Sequence, residues 1–181
     1  AKTGKSAIEA SLKRKAKARI VLIGYQHPDL MAEGYKTASP VVGHGSKLLL
    51  LQMLTMRKWR AQSIDAVTAF LQTEACEEAR RLWTRGVPEL TEALGCEEED
   101  EALRILRSIY GLTTSPRAFF LDVSKKLESF GVRRLLGDPC IHVFLDGDQV
   151  IGVTASHVDD FLISGCPKSE KWKSIFEQIT G

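Results

Sequence analysis

The sequence is poor in cysteine: four among 181 residues, at positions 76, 96, 140 and 166. No two of them form a CxxC pair, and their spacing makes no zinc pattern with His27, His44, His142 or His157. Free thiols in a reducing compartment are the expected state. An apolar run of about 18 residues, the length a membrane span needs, is also lacking, so no membrane partner is expected. Net charge is small. Lys plus Arg is 25 and Asp plus Glu is 23, a difference of +2 that names no partner. The first residues are basic and polar with no apolar core behind them, so no secretory signal is expected in them. Internal repeats and low-complexity tracts are absent. What is present, 44% hydrophobic and 27% charged, is globular composition, and it excludes a disordered, collagenous or coiled-coil chain. The length suits one domain at about 150 residues per domain. A chain of this size buries roughly 70% of its unfolded surface and folds without disulfides or metal. Because it starts with alanine and stops at Gly181 just after a helical-looking stretch, it is expected to be a piece of something longer.

Charge is unevenly spread. Residues 1–19 carry Lys2, Lys5, Lys13, Arg14, Lys15, Lys17 and Arg19 against one acid, Glu9. Residues 74–101 reverse this, most densely at Glu97, Glu98, Glu99, Asp100 and Glu101, which read as a solvated run. The basic run is either a solubilising tail or a source of salt-sensitive attraction to nucleic-acid phosphates. Thr3-Gly4-Lys5-Ser6 resembles the end of a P-loop, but no earlier glycine or strand completes it.

Arg19 to Ile23 reads as a short strand. Ser46 suits the cap of a helix running to about Trp59, with Leu49, Met53 and Met56 at helical spacing. Ala61 to Leu71 reads as a strand leading into a turn, and Leu82 to Thr84 as a short strand closed by Pro88. Ser115-Pro116 starts a helix whose Phe119, Val123, Leu127 and Phe130 share a face, and Gly131 ends it. Ile141 to Leu145, the turn Asp146-Gly147-Asp148 and Val150 to Ser156 form a hairpin signal. Phe161 to Ser164 adds a third strand and makes an antiparallel meander. Without a regular βαβ alternation, the fold class is α+β.

Asp159 and Asp160 interrupt this last apolar stretch. Burying two adjacent carboxylates costs several kcal/mol each unless something compensates. They are either turn residues or a cation site, since hard carboxylate oxygens are what Mg²⁺ prefers. Asp65 lies in an apolar stretch, Ile64-Asp65-Ala66-Val67, with no cationic neighbour in sequence; it is a strand-end acid, a helix cap, or a third ligand. Three acids can surround two Mg²⁺ ions that serve in-line nucleotidyl transfer. Asp146 and Asp148 are explained by turn chemistry alone.

These residues belong to a wider pattern. Lys17-Ala18-Arg19-Ile20-Val21 with Gly24-Tyr25, Thr37-Ala38-Ser39-Pro40-Val41-Val42, Asp65-Ala66-Val67-Thr68-Ala69-Phe70-Leu71, Ile109-Tyr110-Gly111-Leu112-Thr113-Thr114-Ser115-Pro116-Arg117-Ala118-Phe119, Asp138-Pro139-Cys140 and His157-Val158-Asp159-Asp160 run in this order. They resemble K-A-R-L-V with G-[FY], T-F-S-P-V-V, D-V-K-T-A-F-L, L-Y-G-L-K-Q-S-P-R-A-W, D-P-C and Y-V-D-D of the reverse transcriptases of copia-type LTR retrotransposons. The resemblance covers about Lys17 to Gly165.

It implies the fingers and palm of a right-hand polymerase, an antiparallel palm sheet packed on helices. Residues 17–181 would form that domain, without thumb or RNase H, and residues 1–16 a basic N-terminal segment. It implies an RNA-directed DNA polymerase using two Mg²⁺ ions, replaceable by Mn²⁺, a primed RNA or DNA template and deoxynucleoside triphosphates. Asp65, Asp159 and Asp160 would be catalytic and metal-binding. Lys17, Arg19, Ala66, Phe70, Tyr110 and Gly111 would bind the nucleotide, with Arg19 on the triphosphate and Phe70 selecting the sugar. The remaining polyprotein domains would be partners, and the cytoplasm, including a virus-like particle, the compartment, with the nucleus also compatible. This sequence departs from the pattern at His157, Thr113 and Val67, where the family has tyrosine, lysine and lysine. The alternative is a catalytically dead, element-derived module that keeps the fold and binds nucleic acid.

Overall fold

The computed structural model describes residues 19–27, 29–74, 81–95 and 102–180. Lys17, the basic residues before it, Cys76, Cys96 and the acidic run 97–101 lie outside the described residues.

The largest sheet is antiparallel and five-stranded, built from β1 (Gln62–Asp65), β4 (Arg133–Leu135), β5 (Asp138–Asp146), β6 (Gln149–His157) and β7 (Asp160–Gly165) in the order β1-β7-β6-β5-β4. A separate two-stranded ribbon pairs β2 (Trp83–Arg85) with β3 (Ala102–Arg104). The described helices are α1 (His44–Arg57), α2 (Pro88–Leu94), α3 (Ser115–Ser129) and α4 (Glu170–Thr180). This is the expected α+β class, and the meander β5-β6-β7 stands where alternation and turn residues put it.

Sheet alternation sends register partners to the same face. Ile141, paired with Ala155, and Val153 point to one face, where Leu50 and Leu54 of α1 cover them. Phe144 and Ile163 point to the other, where Leu127 of α3 and Trp172 and Ile175 of α4 cover them. Gly152 and Gly165 are register partners, and a Cβ on either would run into the Trp172 indole. The two glycines thus form a seat for that ring. Phe144 meets it edge-on at 5.1 Å.

Several expectations need correction. Arg19–Ile23 is not a strand; its one ladder-like bond is from the Leu22 N–H to the Tyr110 carbonyl at 2.8 Å. An apolar run becomes a strand only beside another edge, and no described strand offers one. α1 begins at Gly43, not Ser46, and its buried stripe is Leu50 (6% exposed) and Leu54 (4%), while Leu49 (70%) and Met56 (77%) face outward. With four consecutive leucines, periodicity cannot choose a stripe; packing against the sheet does. Pro88 opens α2 rather than closing a strand, since a first-turn proline lacks only an N–H that has no helical partner. α3 matches its expected start, and Gly131 just beyond it takes a left-handed φ of 75°.

Asp138 ties two layers together. Burial raises the pKa of its carboxyl, but the Ser46 hydroxyl and the Gly43 and Cys140 amides (2.9 and 3.0 Å) outweigh that and hold it below the usual value. Ser46 therefore serves the start of α1 through Asp138 rather than as its cap. The D-P-C motif is thus a clamp between β5 and the N-terminus of α1.

Candidate active site

Two strands from distant parts of the chain meet at one end of the sheet. β1 pairs with β7, and the register sets Ile64 against Phe161 and Asp65 against Asp160. In the neighbouring hairpin, His157 is the partner of Asp160. Asp65, Asp160 and His157 therefore form a row on the face that α1 covers farther along. Neighbours in such a row stand about 4.5–5.5 Å apart at Cα. Beyond the strand end, the Ala66 N–H donates to the Asp159 carbonyl at 3.0 Å. That bond locks the segment after Asp65 onto the turn that carries Asp159.

The turn itself is strained. Val158 has φ 59° and Thr68, three residues after Asp65, has φ 52°. β-branched side chains crowd the carbonyl in this left-handed region, at a cost of roughly 1–3 kcal/mol each. Asp65 and Asp160 are exposed and Asp159 is half-buried. None of the three carboxylates makes a hydrogen bond or ion pair among the described residues. Among the described residues no cation is paired with the acids of this turn.

The donor chemistry of this row suits a hard divalent cation. As they stand, the side chains are spread rather than converged: among the described residues no three acidic, histidine or cysteine side chains are gathered to hold an ion.

An aromatic line meets the same end of the sheet from its other face, at Phe161. A short 3-10 turn, Ala69–Gln72, follows Thr68 and carries Phe70. The Phe70 ring meets Tyr110 at 5.0 Å and Phe119 at 6.0 Å, and Phe119 meets Phe161, the residue after Asp160, at 6.3 Å. The Arg19 guanidinium sits 5.1 Å from the centre of the Tyr110 ring. Ser115, the first residue of α3, receives the Ile109 N–H (3.1 Å) and donates to the Ile109 carbonyl (2.8 Å), closing the loop that presents Tyr110. Gly111 has φ 85°, and a Cβ there would overlap the Leu22 carbonyl. Its bare Cα admits the segment that carries Arg19.

The structure thus brings Asp65, Ala66, Asp159 and Asp160 together, and brings Arg19, Phe70, Tyr110 and Gly111 together as a second group, linked to the sheet through Phe119 and Phe161. Lys17 lies outside the described residues. Sequence reasoning missed the Ser115 clamp and the Phe119–Phe161 contacts. Ser115 had a signal in its motif, whereas ring contacts between separate elements leave none.

A family model described as reverse transcriptase (RNA-dependent DNA polymerase) matches residues 4–178. The chain belongs to that family. Its curated relatives are Pol polyproteins of copia-type elements. It is 30% identical over 150 residues to the retrovirus-related Pol polyprotein from transposon RE2 of Arabidopsis thaliana, covering 82% of this chain and 10% of that protein. The RE1 polyprotein of the same plant is 27% identical over 150 residues, with the same coverage of each chain. The polyprotein from transposon TNT 1-94 of Nicotiana tabacum is 26% identical over 152 residues, 84% of this chain and 11% of that protein. The chain therefore spans about a tenth of the length of these relatives. No solved structure matches. Among the described residues no helix is long and apolar enough to cross a membrane.

Proposed function

We propose that this chain is the fingers-palm portion of a copia-type reverse transcriptase, with residues 17–181 as that domain and residues 1–16 as a basic N-terminal segment. In this reading the five-stranded sheet is the palm, and Asp65, Asp159 and Asp160 carry RNA-directed DNA synthesis. The observation that supports it most is the β1–β7 register: residues 95 positions apart in sequence stand as neighbours at Asp65 and Asp160. A structural acid needs no such partner, and two unpaired carboxylates side by side repel.

Asp65, Asp159 and Asp160 would hold two Mg²⁺ ions, or Mn²⁺ in their place. When bound, these ions supply a lowered pKa for the primer 3′-hydroxyl and neutralise the departing pyrophosphate. The chain's own residues would do the rest. The planar guanidinium of Arg19 offers paired donors to triphosphate oxygens, which an ammonium cannot copy. Lys17 would add charge there. Phe70 would set its ring against the sugar's 2′ carbon, excluding ribonucleotides. Ala66 and Gly111 would contribute backbone, and Tyr110 would line the pocket. Template, primer and deoxynucleotides are the partners this assigns. The remaining polyprotein domains complete the enzyme, and the cytoplasm or a virus-like particle is its compartment.

The test is primer extension by the longer parent polyprotein with Asp65→Asn, which keeps the size and removes the charge. Loss of extension is expected, and wild-type rates would sink the assignment. The spread of the carboxylates and His157 in the tyrosine position favour a second reading, a nucleic-acid-binding remnant. Template binding without extension by the wild-type parent would select it.

A further inference from the structure

Tyr110 occupies an unusual place between the two groups assigned to the nucleotide. One of its contacts is the Arg19 guanidinium, 5.1 Å from the ring centre, and another is the Phe70 ring at 5.0 Å, inclined at 66°. Its backbone carbonyl meanwhile accepts the Leu22 N–H at 2.8 Å, three residues beyond Arg19. One residue thus grips the Arg19 segment twice, by main chain and by side chain. The phenol hydroxyl makes no hydrogen bond among the described residues. Arg19 itself is exposed and makes no ion pair among the described residues, so the ring is what orients it.

We propose that Tyr110 is a positioning residue that aims Arg19 at the triphosphate through its ring. This rests on the assignment of Arg19 given above. The face of an aromatic ring carries partial negative charge and attracts a guanidinium, most strongly where water is excluded. Once triphosphate oxygens take the donor edge of Arg19, its flat face stays on the ring, because the two interactions use different parts of the group. Phe70 holds the ring edge-on, and Phe119 and Phe161 hold Phe70 in turn. The aim of Arg19 is thereby coupled to the sheet that carries Asp160. A phenylalanine at 110 keeps the charged face, and a leucine does not.

The experiment titrates the 181-residue chain with dTTP and Mg²⁺ and follows the Arg19 side-chain N–H by NMR. In the unmutated chain that proton should show an upfield ring-current shift. Tyr110→Phe should keep the shift and bind dTTP within about twofold, while Tyr110→Leu should lose the shift and bind about tenfold more weakly. Arg19→Ala combined with Tyr110→Leu should bind no more weakly than Arg19→Ala alone, since residues acting through one another are not additive. Independent losses that multiply, or a Tyr110→Phe variant as weak as Tyr110→Leu, would overturn the proposal. If Arg19→Ala leaves dTTP affinity unchanged, the triphosphate assignment falls and takes this inference with it. If Arg19→Ala weakens binding and Tyr110→Leu does not, only the role of Tyr110 falls.

Discussion

Strand β6 has an acidic turn at each end. At its start, Asp146, Gly147 and Asp148 lead in from β5, with glycine at the left-handed position (φ 57°) and Asp146 paired to Lys171 at 3.2 Å. At its far end, Val158 and Asp159 lead into β7, with a β-branched residue at the left-handed position (φ 59°) and no ion pair on Asp159 or Asp160 among the described residues. The first turn satisfies its backbone preference and pairs one of its two acids. The second violates that preference, and a third acid stands beside it. Local strain and unpaired charge together separate the second turn, the one proposed to be catalytic, from the first.

The sharpest break of that comparison removes charge from each turn in the parent polyprotein. Asp159→Asn should lower primer extension by about a thousandfold or more, at about 1.36 kcal/mol per tenfold, because interactions with the transferring phosphate are lost. Asp146→Asn with Asp148→Asn should leave extension within about twofold, as an exposed ion pair contributes at most about 1 kcal/mol. Equal losses from both ends would end the distinction. Next comes the frame between the turns. Trp172→Ala empties the seat over Gly152 and Gly165 and should cost about 3–5 kcal/mol in urea unfolding. A loss below about 1 kcal/mol would mean that the indole is not what joins α4 to the sheet.

Exchanging backbone preferences is a smaller perturbation. Gly147→Val should destabilise by about 1–2 kcal/mol, and Val158→Gly should stabilise by at most about 1 kcal/mol while slowing extension. A faster Val158→Gly enzyme would show that the strain is incidental. The smallest effect is a pH slope. His142 is 1% exposed, and among the described residues neither ring nitrogen has a hydrogen-bond partner. Burial, then the nearby Arg134 charge, pushes its pKa below the ordinary 6.5, with Glu128 opposing. A lowered folded pKa means that the unfolded chain takes up the proton first. Stability is therefore full above pH 6.5 and is lost as pH falls from there through the lowered value. Chemical denaturation of the wild type at a series of pH values should show this, and His142→Gln should flatten that part of the slope.

Much of this was legible in the residues. Alternation and the Asp146-Gly147-Asp148 turn gave the meander, and Ser115-Pro116 with Gly131 bounded α3. The ordered motifs gave the family. Other parts were hidden for physical reasons. Leu48 to Leu51 are all apolar, so no periodicity marked the buried stripe of α1. Arg19 to Ile23 has strand composition but no neighbouring edge. The aromatic line from Arg19 to Phe161 joins residues far apart in sequence, and nothing local announces it.

By itself, the amino-acid order determined which stretches alternate, where the chain turns and which family it belongs to, because these depend on neighbours within a few positions. Only the tertiary structure decided that β1 lies on β7 with Asp65 opposite Asp160. That register is set by burial: Ile64 must share with Phe161 the face toward α3 and α4, and a slip of β1 by one residue would turn Ile64 outward and carry Asp65 to the wrong side.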